Sequence, residues 1–185
     1  MPNQPAEVVA AMNGKKSHAS TPQEGRGEWN GGALYTAEER RRRDESPWTL
    51  VQAILAPVQF LVFLGSLTLV VRFLVTGEGQ GAADASIVAK TITLYAIMIT
   101  GSIWEKDVFG RWLFARPFFW EDVFSMLVLA LHTAYLAMLL GGLGSIDQRM
   151  LVALAGYAAY LVNAGQFLLK LRMARLEAQP AAVAG

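Results

Sequence analysis

The sequence contains no cysteine among its 185 residues. Disulfides, thiolate metal sites, cysteine-ligated iron–sulfur clusters and covalently attached c-type haem are therefore excluded. Histidine is almost as scarce. There are two, His18 and His132, and His18 falls in a polar N-terminal stretch, which argues against a multi-histidine metal centre. Charge is sparse too: 17% of residues are charged and the net charge is +1, so no field points to nucleic acid. "MPNQPAEVVAAMNGKKSHAS" lacks a long apolar run after a basic start and does not read as a secretory signal.

Apolar residues are abundant, at 54%, which is high for a soluble domain. They are unevenly placed, with the bulk beginning at Pro47. Residues 1–33 are polar and rich in Gly and Pro, and are expected to form a disordered cytoplasmic tail. Residues 34–46 are expected to form a short basic interfacial segment. Thr36 with Glu39 makes a capping box there, followed by Arg40–Arg43. Ser46 suits an N-cap and Pro47 the first helical position.

Four apolar segments follow, near 47–75, 84–104, 117–140 and 145–172. Each reaches the roughly 20 residues needed to cross ~30 Å of hydrocarbon. The second is the weakest because Lys90 lies near its start, where a lysine can snorkel to the interface. "TGEGQGAAD" and "GGLG" are turns, and Ser145 with Gln148 makes a second capping box. The expected fold is all-α: a polytopic four-transmembrane-helix bundle over 47–175, ending in a flexible tail at 176–185. Basic residues set its orientation. Arg40–Arg43, then Lys106, Arg111 and Arg116, then Lys170, Arg172 and Arg175 flank alternate ends. This predicts that both termini are cytoplasmic.

Each apolar segment carries a polar stripe. Gln52, Gln59 and Ser66 are seven apart. Thr91, Tyr95, Met98, Ser102 and Glu105 step by three and four. Glu121, Ser125, His132 and Tyr135 share a face, as do Tyr160, Asn163, Gln166 and Lys170. Amides and hydroxyls in membrane helices often serve only to join helices. His132, about 16 Å deeper than Glu121 by helical rise, suits either proton transfer or ligation of a pigment metal. Glu121 and Asp122 follow Pro117, where acids complement a helix N-terminus. Trp104, Trp112 and Trp120 suit an aromatic belt. Glu105 ends the second segment, where the helix dipole disfavours an anion, and Lys106 beside it offers an offset. A carboxylate packed among tryptophans, phenylalanines and lipid has the surroundings of a general acid.

The blocks "LYTAEERRRRDESPWTLVQAILAPVQFLVFL", "TGSIWEKDVFGRWLFA", "FFWEDVFSMLVLALHTAYL" and "YLVNAGQFLLKLR" resemble the 3-vinyl bacteriochlorophyllide hydratase family over residues 34–175. The resemblance implies hydration of the C3 vinyl group of chlorophyllide a, or of its bacteriochlorin counterpart, to a 1-hydroxyethyl group in bacteriochlorophyll a synthesis. It implies no cofactor, with magnesium present only in the substrate. It also implies the cytoplasmic or photosynthetic intracytoplasmic membrane, where a homo-oligomer or contacts with pathway enzymes are open options.

Markovnikov hydration needs an acid, a base or water-orienting group, and an apolar slot for a flat ring. Glu105 or Glu121 is the candidate acid. Asp122 or His132 is the candidate base, and His132 alternatively ligates the substrate magnesium. Tyr95, Tyr135 and Asn163 are candidates to orient water or ring substituents. Trp104, Phe118, Phe119 and Trp120 are candidates to stack on the macrocycle. Lys106, Arg111 or Arg116 would attract the propionate. Two rivals stand beside this reading. One is a non-enzymatic pigment-binding or assembly protein with His132 as magnesium ligand. The other is a small proton-coupled transporter, which the shallow position of the acids disfavours.

Overall fold

The structure, a computed structural model, describes residues 34–183, with side chains described through residue 176. The expected disorder of residues 1–33 lies outside the described residues. Thr36 caps α1 (Ala37–Glu45) through the expected capping box: the Glu39 N–H donates to Thr36 Oγ1 at 3.2 Å, and the Thr36 N–H donates to Glu39 Oε2 at 2.8 Å. Ser46 then ends α1 and starts α2 (Pro47–Thr76), with Pro47 in the first turn. Its hydroxyl makes no capping bond.

α2 is followed by α3 (Gln80–Phe109), a 3-10 turn (Arg116–Phe118), α4 (Phe119–Leu140) and α5 (Ile146–Val183). Helices at Pro47–Thr76, Gln80–Phe109, Arg116–Leu140 and Ile146–Leu176 are long and apolar enough to cross a membrane. Their outer surfaces carry exposed Leu61, Ile92, Ile99, Leu127, Leu151 and Leu168, as expected where lipid replaces water as the solvent. The second capping box also forms, between Ser145 and Gln148. α5 runs past residue 175, where the flexible tail was expected to begin, as far as Val183.

α2 pairs closely with α3, and α4 with α5, forming two hairpins. The hairpins meet mainly through α3 against α4, with a slighter contact of α2 on α5. The core along this seam comprises Phe63, Val70, Ile87, Leu94, Val128, Tyr135, Met150, Tyr157 and Tyr160. α1 packs on α3 at the end of the bundle that carries the α3–α4 loop. There Tyr35 stacks on Phe109 at 5.8 Å, and Trp104 meets Phe118 edge-on at 5.6 Å.

Lys90 departs from the expectation. α3 begins four residues earlier than predicted, so Lys90 lies ten residues inside it rather than near its start. It is fully buried in the bundle instead of snorkelling to the interface.

Candidate active site

The loop end holds a carboxyl cluster. Glu105, Asp122 and Glu121 are each about 95% buried. Glu105 Oε2 accepts the Ala115 N–H at 3.1 Å, and Asp122 Oδ2 accepts the Phe114 N–H at 2.7 Å. The two side chains are brought side by side by these successive N–H groups. The loop between them bends through Phe114, which adopts φ +59°, a conformation uncommon for a residue with a side chain. Fixing two successive N–H groups to two carboxyls holds that bend. These bonds also explain how an acid is tolerated at the C-terminal end of α3. Lys106, the expected offset, instead donates to the Gly110 carbonyl and closes the helix end.

Glu121 lies on the neighbouring face of α4. Lys170 of α5 reaches it at 3.6 Å and also donates to the Pro117 carbonyl. One layer deeper, the Asn163 amide donates to Ser125 Oγ at 2.9 Å and joins α5 to α4.

The middle of the bundle is different. His132 Nδ1 lies 2.8 Å from the Val128 carbonyl. A carbonyl only accepts, so Nδ1 carries the proton and Nε2 presents its lone pair. Nε2 is buried without a hydrogen-bond partner in the protein. Gly156 makes room for the ring: a Cβ there would come within 2.9 Å of His132 Cε1. Lys90 Nζ sits 3.8 Å from the centre of the Tyr160 ring and 5.5 Å from that of Phe63. It too lacks a hydrogen-bond partner, as do both amide atoms of Gln59 and Oδ1 of Asn163. Farther still, Tyr157 bonds Ser66 at 2.5 Å and Tyr135 bonds Asp84 Oδ1 at 2.5 Å.

The structure therefore brings Glu105, Asp122 and Glu121 together, with Asn163 beneath them, and sets His132 deeper on the same seam. It does not bring the other candidates to them. Tyr95 pairs with Thr133 at 2.8 Å on a half-exposed face. Tyr135 lies near the opposite end with Asp84. Phe119 and Trp120 point outward, and Lys106 is exposed at the loop end. Trp104 turns inward, but its Nε1–H is committed to Thr49 Oγ1 at 2.9 Å. Phe118 is buried in the same aromatic cluster. Lys90 and Gly156 were not among the sequence candidates. The signal for Lys90 was present: Ala83, Ile87, Lys90 and Leu94 step by four, three and four, and all are buried.

Fold and site together define a class: a four-helix membrane protein with hydrogen-bonded carboxyls at one end and unpartnered polar groups at its middle. The family model for 2-vinyl bacteriochlorophyllide hydratase matches residues 35–173. The chain belongs to that family. It is 66% identical over 146 residues to the 2-vinyl bacteriochlorophyllide hydratase of Rhodobacter capsulatus, covering 79% of this chain and 85% of that one. It is 63% identical over 148 residues to the protein of the same name from Cereibacter sphaeroides, covering 80% and 92%. No solved structure matches the chain.

Proposed function

We propose that this chain is a hydro-lyase that adds water to the C3 vinyl group of chlorophyllide a or its bacteriochlorin counterpart, giving the 1-hydroxyethyl product. The observation that carries this reading is the 66% identity to a named hydratase over most of both chains. The carboxyl cluster supports it chemically. The acid transfers its proton to the terminal vinyl carbon as the π bond breaks. The conjugated macrocycle stabilises the resulting cation on the adjacent carbon. Water oxygen bonds to that carbon and gives its extra proton to a base, so the net change is addition of one water.

Glu105 is the acid, a buried carboxyl set beside Asp122 at the loop end with Oε2 on the Ala115 N–H. Asp122 and Glu121 complete the cluster, and Asn163 orients ring substituents. His132 binds the substrate magnesium through Nε2, with its Nδ1–H held by a backbone carbonyl, a common support for a metal-bound imidazole. The reaction draws on no cofactor besides the magnesium that the substrate carries. The basic flanks support a bundle in the cytoplasmic or intracytoplasmic membrane with both termini cytoplasmic. The carboxyls then face the compartment from which an amphipathic substrate enters.

The free Nε2 also favours a second reading, a pigment-binding protein that leaves the vinyl group intact. Incubating membranes that contain the protein with chlorophyllide a separates the two. Hydration gives a product heavier by one water, whereas mere binding returns pigment of unchanged mass.

A further inference from the structure

Lys90 is the one fully buried Lys or Arg among the described residues. No described acid is ion-paired with it, and its Nζ has no hydrogen-bond partner in the protein. Two aromatic faces, Tyr160 and Phe63, offset only part of the cost of burying a cation. Buried charges in proteins are otherwise paired, and an ionisable residue within a membrane marks a functional site by default. The surroundings repeat the pattern. Lys90 comes from α3, Phe63 from α2 and Tyr160 from α5, while the His132 ring of α4 lies 5.9 Å from that of Tyr157, which meets Phe63 at 5.5 Å. Gln59, one turn from Phe63, has both amide atoms unpartnered. All four helices thus converge on a buried amine flanked by groups able to donate or accept. The seam between the hairpins, where helix contact is slightest, runs past it.

We propose that Lys90 recognises the free carboxylate of the substrate's propionate and makes this chain selective for de-esterified chlorins. The proposal rests on the hydratase reading and deepens it. The other cations are less suited. Lys106 closes a helix end and is exposed, Lys170 is held by Glu121 and Pro117, and Arg111 and Arg116 lie on the exposed loop.

The test compares chlorophyllide a with its methyl ester, using full-length protein in membranes. The wild type is expected to favour the acid over the ester in kcat/KM by roughly ten- to a hundredfold, the size of a hydrogen bond to a charged group. In Lys90→Met that preference should collapse toward one, mainly through KM for the acid. Lys90→Arg should restore part of it, and Lys90→Gln should behave like Lys90→Met should the methionine variant fail to fold. A wild type indifferent to esterification, or a Lys90→Met or Lys90→Gln variant that keeps the full acid preference, overturns the proposal. So does an equal fall in kcat for acid and ester, which assigns Lys90 to the chemistry. If wild-type membranes form no hydrated product, the hydratase reading fails instead. Co-elution of acid and ester pigments with wild type and variants then still decides the role of Lys90.

Discussion

The loop end and the middle of the bundle are both polar and both buried, yet they are built on opposite principles. At the loop end the acids are committed. Glu105 and Asp122 bind two backbone N–H groups, and Glu121 has Lys170. In the middle, Lys90 Nζ, His132 Nε2 and the Gln59 amide have no partner in the protein. An unpaired buried polar group costs about 1–3 kcal/mol, and more when it is charged. On the proposed function, the loop end supplies the chemical groups and the middle receives the ligand.

The largest effect that would break this contrast belongs to the carboxyls. Glu105→Gln is expected to lower kcat by roughly 10²- to 10⁴-fold, the range for loss of a general acid, while the solubilised protein keeps its elution profile. Glu121→Gln should also fall strongly. Near-normal hydration rates for both variants in membranes would remove the carboxyls from the chemistry and leave them as loop clamps.

His132→Ala is expected to cost about a hundredfold in turnover. Pigment co-elution tells which role is lost. Disappearance of bound pigment matches magnesium ligation, whereas retained pigment with lost turnover reassigns His132 to proton transfer and weakens the receptor description.

Gly156→Ala reaches the same imidazole indirectly. The added methyl collides with the His132 ring, and overpacking costs about 1–3 kcal/mol. A lower thermal midpoint in detergent is expected, together with weaker pigment binding. An unchanged midpoint would mean that the ring moves aside freely and is not held for a ligand.

The smallest effect concerns the layer between the two regions. Ser125→Ala removes the acceptor of the Asn163 amide and should cost about 1 kcal/mol of stability, measured by thermal unfolding. A loss of turnover as large as that of Glu105→Gln would place Ser125 among the reacting groups and erase the boundary.

Much of this architecture was legible in the chain. Four apolar runs of about 20 residues or more announced helices long and apolar enough to cross a membrane. Thr36 with Glu39 and Ser145 with Gln148 announced their caps by spacing alone. The stripe of Glu121, Ser125, His132 and Tyr135 was also readable, and all four are buried. Less legible was how far each stripe extends as one site. Tyr135 and Glu121 share a face of α4, but fourteen residues of helix, about 21 Å of rise, separate them, and Tyr135 belongs to Asp84. Phe119 and Trp120 adjoin Glu121 in sequence yet face outward, because successive helical residues diverge by about 100°.

The sequence by itself determined the helices, their caps, their polar faces and, through its resemblance, the family. These depend on local spacing and composition, which one chain carries in full. Only the tertiary structure decided which polar groups are satisfied. Glu105 meets Asp122 through a loop bent at Phe114, and Lys90 turns into the seam rather than toward the interface. Both outcomes depend on how two hairpins pack against each other, and no periodicity within a single helix encodes that contact.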